Sequence, residues 1–268
     1  MCLPLILYEK VIGVLGVLNR YGPYGFTAAD QRLLNAIGSQ IDTAIYERRE
    51  IRRLREVLGR SVGPQVMDRL LANADMDILR PERQEMTVLF ADLRGSTLLA
   101  ERIDPELFVD FVRDFLTTMT DVVLSHEGTV DKFVGDEVMA LFGAPIPQVD
   151  HALRAIRVGL DMQAAHEEVM ARWKPKGVPH TPMGIGIATG RMIVGEMGGS
   201  QRSNYTAIGR EVNLGSRICG IAEGGQVVIS PATYEMVSGL VRVIPIDGQR
   251  FKGVERDVTV YHVTDILG

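Results

Sequence analysis

The stretch VDKFVGDEVMALFG, residues 130–143, reads as two short apolar runs joined at a tight turn. Two such runs on either side of Gly135 predict a β-hairpin. Lys132 and Asp136 sit beside that glycine, with Asp131 and Glu137 next to them. Surface hairpins often carry charge, so the charges alone decide nothing.

Upstream, MTVLFADLRGST (86–97) ends a buried strand with Asp92 and turns into a helix at Gly95 and Ser96. An aspartate there either caps the following helix or binds a cation. Two ionised carboxylates at strand ends, Asp92 and Asp136, repel one another if brought close unless a divalent ion lies between them. Two aspartates completed by backbone or phosphate oxygens suit Mg²⁺. Two such ions about 4 Å apart would clamp the attacking and leaving oxygens of a displacement at phosphorus. The five histidines are scattered, with no zinc-site spacing. No GxxxxGK[ST] is present, and GIGIATG (184–190) lacks the dinucleotide fingerprint.

The segments around the hairpin alternate. An amphipathic helix (105–128) closed by Gly128 precedes it, and a second (150–173) follows. Residues 182–198 read as two more strands, 209–225 as a helix with a glycine stop, and 226–230 and 258–265 as strands. Strand–helix–strand–strand–helix–strand, with additions, predicts an α+β sandwich of ferredoxin-like topology.

The front of the chain differs. Residues 1–20 read as strand, turn and strand, and Thr27 with Asp30 gives a helix-start signal. Leu34, Ile37, Ile41, Ala44, Ile51 and Leu58 then follow a three-four spacing, with Arg48 and Arg55 at the two remaining positions. This is coiled-coil periodicity, imperfect in its second half; one helix packed on its own domain is the alternative. GRSVG (59–63) formally matches GxSxG, but it follows a helix rather than a strand, so the nucleophile elbow is absent. A short amphipathic helix (65–72) and a polar linker (73–85) lead into the strand at Met86.

The whole chain sets bounds. At 268 residues, 46% hydrophobic and 24% charged, it suits one large domain plus a smaller module. A net charge of −5 gives no general nucleic-acid or anionic-membrane surface. Two distant cysteines make no disulfide framework, and the N-terminal apolar stretch is broken by Glu9 and Lys10. Neither a signal peptide nor a membrane span is expected, and a cytoplasmic location is.

TVLFADLRGST (87–97), DKFVGDEVMALFG (131–143), GIATGRMIVGEMG (186–198) and YTAIGREVNLGSRI (205–218) occur in the order and approximate spacing of class III nucleotidyl cyclases. The resemblance covers residues 86–264. It implies the cyclase homology fold and conversion of ATP to 3′,5′-cyclic AMP and pyrophosphate, with two Mg²⁺ or Mn²⁺ ions per site. By that resemblance Asp92 and Asp136 bind metal with the Leu93 carbonyl, Lys132 recognises the base, and Thr206 stands where many animal adenylyl cyclases have aspartate. Asn213 orients the ribose, Arg217 stabilises the transition state, and Lys252, on a looser alignment, contacts the terminal phosphates. Arg210 and Gly215 depart from the usual IGDTVNLAAR pattern without replacing a functional position.

The chemistry agrees with these roles. Adenine offers an acceptor at N1 and a donor at N6; a lysine can donate to the first and a threonine oxygen accept from the second. Guanine inverts both, and one unpaired buried edge costs about 1–3 kcal/mol. Asn213 and Arg217, four apart on one helix, share a face. Threonine at 206 is similar to subclass IIIb, whose members can respond to bicarbonate or CO₂. A guanylyl cyclase and a non-catalytic nucleotide-binding or dimerisation module are the alternatives; the presence of Asp92, Asp136 and Arg217 counts against the second.

Residues 1–47 resemble the closing strands and final helix of a GAF domain, and about 50 residues are too few for a sizeable core of their own. The resemblance implies a partial GAF domain (1–47), a signalling helix and linker (48–85) and a cyclase catalytic domain (86–268). A nucleoside triphosphate is extended, and its base lies well away from its metal-bound phosphates. By the resemblance to the cyclases, Lys132 and Asp136 are therefore expected to serve different sites of a homodimer with two shared active sites, metal at one and adenine at the other.

Overall fold

The computed structural model describes residues 1–7, 10–19, 25–59, 62–72, 79–199, 202–250 and 257–267. The chain divides into two compact units, Met1–Glu56 and Val57–Gly268.

In the first unit β1 (Cys2–Leu7) and β2 (Lys10–Gly16) pair antiparallel, and α1 begins at Ala28 and runs to Leu58. Its start is a reciprocal cap: the Thr27 N–H donates to Asp30 Oδ2 at 2.7 Å, and the Asp30 N–H donates back to Thr27 Oγ1 at 3.3 Å. The hairpin meets α1 at Gly38, where Leu3 approaches, and at Asp42, whose Oδ1 accepts the Ile6 N–H at 3.2 Å. The three-four stripe is therefore divided. Leu34 is buried within the unit, while Ile37 and Ala44 remain exposed.

The second unit is an eight-stranded sheet in the order β4–β5–β3–β6–β8–β10–β9, with β7 also on β6. The strands are β3 (Glu82–Leu93), β4 (Thr129–Val134), β5 (Glu137–Phe142), β6 (Met183–Gly199), β7 (Arg202–Ile208), β8 (Val227–Ile229), β9 (Val241–Gln249) and β10 (Val258–Ile266). All described pairings are antiparallel except β6 with β8. Between them lie α2 (Pro64–Ala72), α3 (Ser96–Arg102), α4 (Pro105–Ser125), α5 (His151–Trp173), α6 (Arg210–Ile221) and α7 (Pro231–Val237).

Alternation along β3 sets the two faces. Leu89, Ala91 and Leu93 join the main core with Phe111, Phe115, Met119 and Val123 of α4 and Ile156 and Met162 of α5. Each of these large side chains contributes about 1.5–3 kcal/mol by leaving water. Asp104 caps α4 by accepting from the N–H groups of Glu106 and Leu107 at 2.9 and 3.2 Å. Val88 and Phe90 face the other way and meet α6 at Gly215, where an added Cβ would lie 3.1 Å from each. Asp92 continues that second face.

The structure corrects several readings. β3 starts at Glu82 rather than Met86, because its polar first residues pair with Val194 through Arg191 of β6. Residues 183–199 are one strand, not two, and it runs unbroken through Gly190 and Gly195, with φ of 158° and 157°. The left-handed residue after α4 is Glu127 (φ 56°), not Gly128. Gly128 is needed for space instead, since a Cβ there would meet Phe142 and Val123 at 2.7 and 2.8 Å. β7, α7 and β9 were not singled out in the sequence; β9 is mostly exposed and holds Pro245, so it lacks a clear apolar alternation.

Candidate active site

Two clusters of polar side chains form on the second unit. The first gathers where β3 ends beside the β4–β5 turn. The β3–β5 register runs from Thr87↔Phe142 to Ala91↔Val138, which brings Asp92 to the end of the sheet occupied by Asp136 and Glu137. Burial and the Asp136 charge push the Asp92 carboxyl above its ordinary range, with Arg94 opposing them. Glu137 is raised by burial and then by the charges of Asp92 and Asp136. Asp136 Oδ2 is buried with no hydrogen-bond partner.

Converging carboxylates and an orphaned buried oxygen fit a divalent cation, which would supply the missing partner. Among the described residues no group of three or more His, Cys, Asp or Glu side chains is arranged to hold a metal ion. A site built on Asp92 and Asp136 thus needs main-chain or ligand oxygens to complete it. Leu93, whose carbonyl the resemblance offers, ends β3 with its side chain in the core.

Arg94 fastens this end of β3. Its guanidinium lies 2.8 Å from Asp92 Oδ2, its Nε donates to the Ala222 carbonyl at 2.9 Å, and its remaining nitrogen donates to the Cys219 carbonyl. The last turn of α6 is thereby satisfied by a side chain next to Asp92. Glycines at 184 and 186 allow the approach: a Cβ on Gly186 would lie 2.1 Å from the Cys219 nitrogen. Cys219, packed into this contact, has its thiol pushed up to about 12, chiefly by burial.

The second cluster joins strands that are not neighbours in the sheet. Lys132 Nζ on β4 donates to Thr206 Oγ1 on β7 at 2.9 Å, and Thr206 Oγ1 donates to Asp131 Oδ2 at 2.6 Å. Lys132 Nζ also stands 3.4 Å from Asp131 Oδ1, an ion pair without hydrogen-bond geometry. Burial raises the Asp131 carboxyl, while Thr206, Lys132 and Ala207 stabilise its charged form.

Of the residues expected from sequence, the structure thus brings Asp92 to Asp136, and Lys132 to Thr206. Asn213 is exposed in the first turn of α6 and Arg217 half-buried one turn on. Lys252 lies outside the described residues. Sequence reasoning gave no role to Arg94, Asp131 or Glu137. Their signal was adjacency alone, each being within two residues of a candidate, and adjacency along a strand does not say which face a side chain takes.

Comparison with known proteins follows the same ground. The family model for the adenylate and guanylate cyclase catalytic domain matches residues 79–264. Adenylate cyclase 1 of Rhizobium meliloti (strain 1021) is 31% identical over 187 residues, 69% of this chain and 28% of that protein. Other curated relatives are likewise matched over about a third of their length. Among solved structures, the adenylyl cyclase CyaB from P. aeruginosa aligns with a TM-score of 0.68 at 36% identity, covering 70% of this chain and 97% of the other. The guanylyl cyclase Cya2 aligns at 0.67 and 38%, covering 69% and 94%. Among the described residues no helix is long and apolar enough to cross a membrane.

Proposed function

Since this chain belongs to the adenylate and guanylate cyclase catalytic domain family, we propose that it converts ATP to 3′,5′-cyclic AMP and pyrophosphate at two shared sites of a homodimer. The observation that carries the ATP reading is the hydrogen bond from Lys132 to Thr206. It sets a fixed donor beside a fixed acceptor, the complement of adenine N1 and N6. In each site Asp92 and Asp136 of one protomer hold two Mg²⁺ or Mn²⁺ ions, aided by the Leu93 carbonyl. Bound there, such ions supply charge neutralisation at the phosphates and an acidified 3′-hydroxyl. The other protomer contributes Lys132 and Thr206 to the base, Asn213 to the ribose, Lys252 to the terminal phosphates and Arg217 to the charge that develops on phosphoryl oxygens.

Residues 1–47 act as a partial GAF module and 48–85 as a signalling helix and linker, in a cytoplasmic protein. A second reading, guanylyl cyclase, is favoured by the 38% identity to Cya2. ATP and GTP in competition, with Asp92→Ala as the blank, separate the two. Mixing Asp92→Ala chains with Arg217→Ala chains should restore one intact site per mixed dimer. No rescue, with mixed dimers demonstrated, contradicts the shared-site model.

A further inference from the structure

We propose that Asp131 is a positioning residue for base selection: it takes the hydroxyl hydrogen of Thr206 and leaves that oxygen able only to accept. The inference rests on the ATP reading above and supplies its cause.

A threonine hydroxyl is ambiguous, since it carries one hydrogen and two lone pairs and its rotor turns to suit the ligand. At position 206 the choice has been removed. The Asp131 side chain is fully buried, and its Oδ2 accepts from Thr206 Oγ1 at 2.6 Å and from the Ala207 N–H at 3.3 Å. A carboxylate only accepts; burial raises this one, and the contacts from Thr206, Lys132 and Ala207 favour its charged form against that. The hydroxyl hydrogen is thus committed inward. Of its two lone pairs, one receives Lys132 Nζ at 2.9 Å. The other remains for a donor.

Lys132 has three hydrogens; Thr206 takes one, and Nζ can still donate to a base. The pair therefore presents one donor and one acceptor in fixed places. Adenine N1 and N6 match both. Guanine offers a donor at N1 and an acceptor at O6, so it meets like with like twice. With a neutral amide at 131, the side chain can donate to Thr206 Oγ1, and the freed hydroxyl hydrogen can turn to guanine O6. The mismatch at Lys132 stays, so selectivity should weaken rather than invert.

A purely structural Asp131, tying β4 to β7, would affect both nucleotides alike, and a ratio of ratios separates the two roles. The test measures kcat/KM of the full chain for ATP and for GTP. It also measures binding of 3′-deoxy-ATP and 3′-deoxy-GTP, which lack the attacking hydroxyl and cannot cyclise. Asp131→Asn should cut the ATP-to-GTP preference on the order of tenfold in both measurements. In a Thr206→Ala background the same change should leave the preference unaltered. Thr206→Val, which leaves Asp131 in place, covers an Asp131→Asn chain that does not fold. It should lose preference for ATP by a similar factor, and an unchanged ratio there overturns the inference. A wild-type chain that prefers GTP, or makes no cyclic nucleotide, overturns the substrate reading and this inference with it. An ATP preference that survives undiminished in a folded Asp131→Asn chain overturns the inference alone.

Discussion

Gly186 offers the sharpest test of how α6 is seated on the sheet. An alanine Cβ at this position would lie 2.1 Å from the Cys219 nitrogen and 2.6 Å from both the Cys219 Cα and the Gly215 carbonyl oxygen. All three are backbone atoms, so no rotamer change relieves the clash. Reaching ordinary contact, which begins at 3.4 Å, requires the strand and helix to part by more than 1 Å. Overpacking of this kind costs about 1–3 kcal/mol, and at about 2–4 °C per kcal/mol for a domain of this size the melting temperature should fall by about 2–12 °C. The same displacement moves Asn213 and Arg217, and misplacement of about 1 Å can lower turnover by about 10²-fold. Calorimetry and initial cyclase rates read the two effects separately. Gly220→Ala is the control: it lies on the same helix with nothing within 4 Å of its added Cβ, and there alanine should stabilise by about 0.5–1 kcal/mol. If Gly186→Ala melts and turns over like the wild type while Gly220→Ala behaves as expected, the close seating of α6 on β6 is wrong.

Arg94→Ala strips donors from the Cys219 and Ala222 carbonyls and should cost about 1–3 kcal/mol in a thermal melt. Because no guanidinium then competes for Asp92, added Mn²⁺ should raise its melting temperature by more than it raises the wild type's; an equal rise contradicts this. In native protein at pH 8, iodoacetamide should modify exposed Cys2 and spare Cys219, whose buried thiol is pushed up to about 12. Rapid modification of both by mass spectrometry before unfolding would count against that packing. His151 is held below its ordinary 6.5, mainly by burial, against the pull of Glu85 and Asp150. Its unfolded form therefore binds a proton more readily, so its contribution to stability is complete above about 6.5 and lost as pH falls through the lower folded value. Urea midpoints should thus fall less between pH 7.5 and 5.5 in His151→Asn than in the wild type, and parallel slopes would dismiss the effect.

The sequence made some features readable and hid others for physical reasons. Asp92 and Asp136 were legible because each sits where an apolar run stops, and a charge at such a place needs a reason. The cap at Thr27 was equally plain, since both partners lie within one turn. β6 was misread as two strands because its glycines look like breaks, although the strand runs on through them. Arg94 escaped notice because its partners, Cys219 and Ala222, lie more than a hundred residues away. Asp131 was hidden by the lysine beside it. Nothing local marks it as the group that settles the hydroxyl direction at position 206, 75 residues downstream.

The long central strand also has a consequence for how the protein is made. β3 finds its partner in β6 through twelve residue pairs, from Glu82↔Val194 to Leu93↔Met183, so the two ends that close the pairing are about 90 to 110 residues apart in the chain. On a ribosome adding about 5–20 residues per second, β3 waits about 5–20 seconds for the strand that completes it, and the β4–β5 hairpin about half as long. During that interval one long apolar edge of β3 stands open, and like any unpaired edge it can recruit another chain. The nascent protein therefore remains exposed to misassembly at this edge until residue 194 has left the exit tunnel.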